Sequence, residues 1–243
     1  MRIFEYGEPT APLLLLIHGF QSPFCIWDKY VEHYSKRYHL IVPILDGHDP
    51  DCPSDFISFE KCAAEIEEYL NGREVYAVYA MSMGGVLAAT LLKRGRVKFK
   101  KAVLESSPLL SYNPFVAAYI TRFYLSVTRK TKERDKNTLK NAARLVREDQ
   151  YDDFIRVLDN MSDTTIRNCI SGIKAFKLPR DLDLSAVELT YVYGGKEVFF
   201  GKIARFIKKH YPHASIIKID GKGHCEDALL CPEVRIAELD KII

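Results

Sequence analysis

An α/β domain is the fold this sequence predicts: a mostly parallel β-sheet with helices on both faces, plus one helical insertion. Three observations point there. Short β-rich apolar runs alternate with amphipathic segments along most of the chain. One such run, V-Y-A-V-Y-A, passes through a small-residue turn, M-S-M-G-G, directly into the helical run V-L-A-A-T-L-L. A long stretch from Tyr112 to Lys177 has helical periodicity and no convincing strand.

Taken in order, the β-type runs are Leu13 to Ile17, His39 to Ile44, Val75 to Tyr79, Lys101 to Glu105, Leu189 to Tyr193 and Ser215 to Ile219. Helical segments fall between and after them, at Ile26 to Ser35, Ser58 to Leu70, Met83 to Arg94, Lys202 to His210 and from Pro232 onward. Only about one strand's worth of sequence precedes Leu13, so the N-terminal edge of the sheet is expected to be short. A structureless loop as long as Tyr112 to Lys177 is improbable inside a compact domain, so a bundle of helices is expected there. The expected organisation is a core from residues 1–111 and 178–243, with residues 112–177 inserted as a helical unit. In that unit Phe115, Tyr119 and Phe123 recur at helical spacing, and Arg129 to Arg147 is rich in lysine and arginine.

Composition narrows the function classes. A chain of 243 residues with 47% apolar content can bury a sizeable core as one domain. Its net charge of +3, with 28% charged residues, gives no global case for nucleic acid or an anionic membrane as partner. The start, M-R-I-F-E-Y-G-E-P-T, lacks the basic, apolar and small-residue pattern of a secretion signal, and no run approaches the ~20 apolar residues of a membrane span. The six cysteines, at 25, 52, 62, 169, 225 and 231, follow no C-x-x-C or regular spacing and fit reduced thiols, so a cytoplasmic location is expected. His210 and His213 have a spacing compatible with metal binding, but Lys208, Lys209 and Pro212 around them read as a solvated helix end. No metal is expected.

The chemistry centres on Ser82. A sharp strand-to-helix turn strains its central residue and admits only small neighbours, and Ala80, Gly84 and Gly85 supply that room. A serine hydroxyl is a poor nucleophile at neutral pH. It needs a base to take its proton and an acid to orient that base, both from later strand ends. His224, in the glycine-flanked loop D-G-K-G-H-C after the last strand, is placed to be the base.

The A-x-S-x-G segment around Ser82 resembles the nucleophile elbow of the α/β-hydrolase superfamily, with alanine where the commoner form has its first glycine. The resemblance extends to three further segments in the right order and covers nearly all of the chain outside the insertion. His224 resembles the superfamily's catalytic histidine in its G-x-G-H setting. Glu197, in Y-G-G-K-E, matches the acid of the G-x-x-D pattern, a departure in residue type since aspartate is commoner. Two rivals for the acid stay open: Glu105 at the end of the preceding strand, and Asp220. The segment L-L-L-L-I-H-G-F-Q resembles the superfamily's H-G-x loop. The resemblance implies an oxyanion hole made by the backbone N–H groups of Phe20 and Met83, with Gly19 leaving room and His18 buttressing the loop. P-I-L-D-G-H-D resembles an abbreviated form of another family loop, in which Asp46 and His48 have a shaping role. The insertion resembles the cap of many such hydrolases, and His18, Phe115, Tyr119 and Phe123 are then candidates to line a substrate pocket.

Relatives that hydrolyse carbon–halogen bonds or epoxides carry aspartate at the elbow, so serine points to acyl transfer. The resemblance implies a serine hydrolase acting without cofactor on a small-molecule acyl substrate, a carboxylic ester foremost. A thioesterase, an amidase or lactonase, and a carbon–carbon bond hydrolase would use the same residues. From a different class, a hydrolase-like ligand-binding signalling protein would keep the pocket and show little turnover.

Overall fold

Seven strands build the protein's sheet: β1 (Arg2–Tyr6), β2 (Leu13–Ile17), β3 (His39–Ile44), β4 (Val75–Met81), β5 (Phe99–Glu105), β6 (Glu188–Gly194) and β7 (Ser215–Ile219). The computed structural model describes residues 1–243. The strands lie in the order β1-β3-β2-β4-β5-β6-β7, with β1 antiparallel to β3 and every other neighbouring pair parallel. All six expected strands are present, and β2, β3 and β7 keep their expected ends. β4, β5 and β6 run slightly longer because ladder pairing continues past the apolar stretch, as at Met81 beside Glu105.

Full burial explains why β2 reads as an unbroken apolar run. Leu13, Leu15 and Ile17 point into one core layer, and Leu14 and Leu16 into the other. The first layer is closed by α2 (Phe59–Leu70), α3 (Met83–Arg94) and α8 (Val198–His210), and the second by α1 (Asp28–Tyr34) and α10 (Pro232–Leu239). The segment expected as one helix from Ile26 opens with a 3₁₀ turn, Phe24–Trp27, before α1 begins. The helix expected from Lys202 already starts at Val198, and a short helix, α9 (Glu226–Leu230), follows the β7 loop where none was read.

Between β5 and β6 lie four helices and no strand: α4 (Pro114–Lys132), α5 (Lys136–Ala142), α6 (Tyr151–Asn160) and α7 (Asp163–Ala175). Side-chain caps start three of them. Asn113 accepts from the Phe115 N–H at 2.8 Å, Asp135 from Thr138 at 2.8 Å and Ser162 from Thr165 at 2.9 Å. α7 buries Cys169, Ile170 and Ile173 in the first core layer, whereas α6 and α5 share a small core of their own through Ala142, Phe154 and Leu158. Hydrogen bonds also fasten this helical unit to the sheet's loops, from Gln150 Nε2 to the Cys25 carbonyl (2.8 Å) and from Asn168 Nδ2 to the Phe56 carbonyl (2.9 Å).

The parallel arrangement gathers the carboxyl ends of six strands, β2 to β7, on one edge of the sheet, where α/β folds hold their ligands. No helix is long and apolar enough to cross a membrane.

Candidate active site

Ser82 occupies the single-residue junction between β4 and α3, with φ +52° and ψ −118°, a conformation rarely adopted by a residue with a side chain. Its neighbours hold it there. The Ser82 N–H donates to the Glu105 carbonyl on β5 at 2.8 Å. The two following glycines are demanded by contact: a Cβ on Gly84 would sit 2.5 Å from the backbone oxygens of Ile17 and His18, and one on Gly85 would sit 1.7 Å from Ser107 Oγ. The turn therefore closes only with α3 pressed against β2 and the end of β5, which raises the Ser82 hydroxyl above the sheet edge.

His224 and Glu197 arrive on neighbouring loops. Gly194 ends β6 so close to the β7 loop that a Cβ there would lie 2.3 Å from the Gly223 carbonyl. The loops are further tied by hydrogen bonds from Gly195 N–H to Ile219 O (2.7 Å) and from Lys196 N–H to Lys222 O (3.0 Å). Glu197 Oε1 then lies 2.6 Å from His224 Nδ1, and His224 Nε2 lies 2.8 Å from Ser82 Oγ. With the Nδ1 proton donated to the carboxylate, the Nε2 lone pair is free to accept from the serine hydroxyl. The second oxygen of Glu197 accepts from Ser106 Oγ at 2.6 Å and from the Gly194 N–H at 2.9 Å. Burial pushes the Glu197 carboxyl upward, but the bond and charge of His224, with the Ser106 and Gly194 donors, outweigh it and hold the group below its ordinary range.

Of the rivals, Glu105 faces away. Strand alternation sends Leu104 into the first core layer and Glu105 toward the second, where its buried carboxylate accepts from Tyr79 Oη (2.6 Å) and pairs with Arg235. Burial raises its pKa, with Arg235 and Tyr79 pulling the other way. Asp220 is exposed and pairs with Lys218 at 2.6 Å.

Beyond β2, His18 is fully buried. Its Nδ1–H donates to the Gly19 carbonyl (2.8 Å), and its Nε2 accepts from the Leu45 N–H (3.0 Å). Burial lowers its pKa to about 4, so it stands neutral as a brace between two loops. Gly19 passes over the serine, where a Cβ would lie 3.2 Å from Ser82 Cβ. The Phe20 N–H makes no hydrogen bond within the protein. The Met83 N–H, in the first turn of α3, is one of the donors a helix start leaves without an intrahelical partner. Gln21, with φ +56°, is buried and donates through Nε2 to Thr128 Oγ1 on α4 at 2.9 Å, tying this loop to the helical unit. Beside it, the His48 ring packs at a tilt against His18 (5.1 Å) and edge-on to Phe20 (5.8 Å), while Asp46 binds Lys61 Nζ at 2.8 Å.

The aromatics expected on the inner face of α4 lie on its outer one. Phe115 is 85% exposed, Tyr119 71% and Phe123 51%, whereas Ala117, Ile120, Tyr124, Thr128 and Thr131 turn inward. Spacing of four residues fixes that three aromatics share a face but not which way it points, and the tertiary contact through Tyr124 decides it. Tyr124 meets Phe20 edge-on at 4.9 Å, and Phe200 lies 5.3 Å from His224, with Phe199 between Phe200 and Tyr112. Of these partly buried rings Tyr112, Tyr124, Phe199 and Phe200 went unread as candidate site residues in the sequence. The F-F doublet that follows Val198, two residues after Glu197, was the available signal for two of them.

The sequence model described as alpha/beta hydrolase fold matches residues 12–224. Over 100 residues the chain is 32% identical to a pimeloyl-acyl-carrier-protein methyl ester esterase from Nitrosomonas europaea, a match covering 40% of this chain and 38% of that protein. The fold is similar to an alpha/beta hydrolase family protein from Desulfitobacterium hafniense, at TM-score 0.76 and 18% identity over 99% of this chain and 98% of that one. It is also similar to a thermophilic esterase from Thermogutta terrifontis, at TM-score 0.73 and 18% identity over 99% of this chain and 91% of that one. With the family model spanning strands β2 to β7, the Ser82 turn and the His224 loop, the chain belongs to the alpha/beta hydrolase fold family.

Proposed function

We propose that the protein is a serine esterase that cleaves a small or medium, largely apolar carboxylic ester through an acyl-enzyme. The observation that carries this reading is the unbroken relay from Glu197 Oε1 through His224 Nδ1 and Nε2 (2.6 and 2.8 Å) to the strained Ser82 hydroxyl. Ser82 Oγ attacks the ester carbonyl while His224 Nε2 takes its proton, and Glu197 balances the imidazolium charge. The N–H groups of Phe20 and Met83 receive the oxyanion, a contribution worth ~2.7–4 kcal/mol for each donor of this kind. His224 then returns its proton to the leaving alcohol. A water deprotonated by His224 attacks the acyl carbon, and collapse of that second intermediate releases the acid and restores Ser82.

Helices α4 to α7 act as a cap over this centre, with Tyr124 and Phe20 on one side of the acyl chain and Phe200 on the other. The methyl ester esterase from N. europaea, though matched over only part of its length, supports an ester as the bond cleaved.

Intact mass after treatment with a fluorophosphonate probe, for wild type and Ser82→Ala, tests the nucleophile. Hydrolysis of nitrophenyl esters of increasing acyl length tests the bond and the pocket. One adduct that disappears in Ser82→Ala, together with multiple-turnover hydrolysis, is the expected result. A wild type that takes no probe and turns over no ester refutes the reading.

A further inference from the structure

The tripeptide Glu105-Ser106-Ser107, at the carboxyl end of β5, touches the site at three points, of which the elbow needs two. The Glu105 carbonyl holds the Ser82 N–H, and Ser107 Oγ fills the space that Gly85 leaves open. Ser106 is the residue that the elbow does not explain. It is fully buried and held at φ +44°, in the left-handed region that a serine enters only under constraint. Its N–H is anchored to the Val192 carbonyl on β6 at 2.8 Å, and its hydroxyl donates to Glu197 Oε2 at 2.6 Å.

We infer that Ser106 is a positioning residue for ester hydrolysis, whose hydroxyl fixes the Glu197 carboxylate so that its other oxygen stays aligned on His224. This rests on the serine-hydrolase reading above. A carboxylate rotates freely about its last bond unless both oxygens are engaged. Here Oε1 is held by His224 alone, while Oε2 has two donors, Ser106 and the Gly194 N–H. The backbone donor comes from the end of the strand that leads into Glu197, three residues away. Ser106 is the donor from a different strand and so references the acid to the strand that also holds the Ser82 N–H. One dipeptide, Glu105-Ser106, thereby sets the two ends of the relay against each other. The left-handed backbone turns the Ser106 side chain from the β5 core register toward the β6 loop, which gives the strain a use.

The titratable groups facing Glu197 are His224 and Cys225 on the β7 loop, Tyr112 before α4 and Tyr191 on β6. None of the others replaces the Ser106 donor. Removing a donor from a carboxylate makes the Glu197–His224 pair take up a proton more readily, so the acid limb of the rate profile moves to higher pH.

The test is Ser106→Gly in the full chain, because glycine takes a positive φ without strain and the fold survives the change. With nitrophenyl esters, kcat is expected to fall about ten- to a hundredfold, the scale of losing a hydrogen bond to a charged group, with KM within about twofold. The acid limb of kcat/KM should move upward, and the melting temperature should stay close to wild type. Ser106→Cys, which keeps a weaker donor, should fall between the two. Wild-type kcat in Ser106→Gly, or a lower kcat with an unmoved acid limb, overturns the inference. The parent reading fails separately, if Ser82→Ala hydrolyses ester as well as wild type does.

Discussion

Arg235 Nε stands 3.1 Å from Glu105 Oε2, and both side chains are sealed from solvent, so α10 is pinned by charge beneath the strand whose Glu105 carbonyl holds the Ser82 N–H. The contact is an ion pair without a well-aligned N–H bond, since neither Arg235 Nε nor Nη1 has a directed partner. Removing only the cation strands a buried carboxylate. Arg235→Leu is expected to destabilise the protein by about 3–5 kcal/mol in urea unfolding, and replacing both residues by leucine should recover most of the loss. A single variant as stable as wild type would show that the pair contributes nothing.

Stability should fall in mild acid because of two buried histidines. Burial lowers the His18 pKa to about 4, and burial with the neighbouring His18 lowers that of His48 to about 3. An unfolded histidine takes a proton near pH 6.5. The folded values lie below that, so this stabilisation is fully present above about pH 6.5 and is lost as pH falls toward the folded values. Between pH 7 and pH 5 each histidine should remove about 2 kcal/mol from the unfolding free energy. His48→Phe should roughly halve that slope. An unfolding free energy independent of pH across this window would refute the account.

The two faces of α4 should separate cleanly in activity. Tyr124 packs on Phe20 at 4.9 Å, whereas Phe115 and Tyr119 are mostly exposed. Tyr124→Ala is expected to lower kcat/KM for nitrophenyl esters by about tenfold or more, most for the longer acyl chains, by opening the aromatic wall. Phe115→Ala and Tyr119→Ala should remain within about twofold of wild type. Equal losses on the two faces would show that the outer aromatics meet substrate as well.

Periodicity and small residues carried most of the fold. Leu13 to Ile17 and His39 to Ile44 were legible as strands because central strands of a sheet covered on both faces are apolar runs, and Ser215 to Ile219, at the sheet edge, was legible by its isoleucines. Ser82 stood out because steric exclusion at its turn is written locally, in Gly84 and Gly85. His224 and Glu197 were legible by their loops, each following a strand on the same edge of the sheet. Local order, hydrophobic pattern and close backbone approach are all properties of short segments, so the sequence by itself determined them.

Direction was decided by the tertiary structure. Glu105 and Glu197 both end a strand region in the sequence, and nothing local tells which carboxylate turns toward His224. Pairing with Arg235 from the far end of the chain draws one away, and the close approach of Gly194 to Gly223 brings the other in. In the same way Phe115, Tyr119 and Phe123 carried the helical spacing, but the inward face of α4 was set by Gln21 meeting Thr128 and Phe20 meeting Tyr124, across more than a hundred residues of chain. Ser106 had no signature at all, because its role depends on the distance between two strand ends that only the folded sheet fixes.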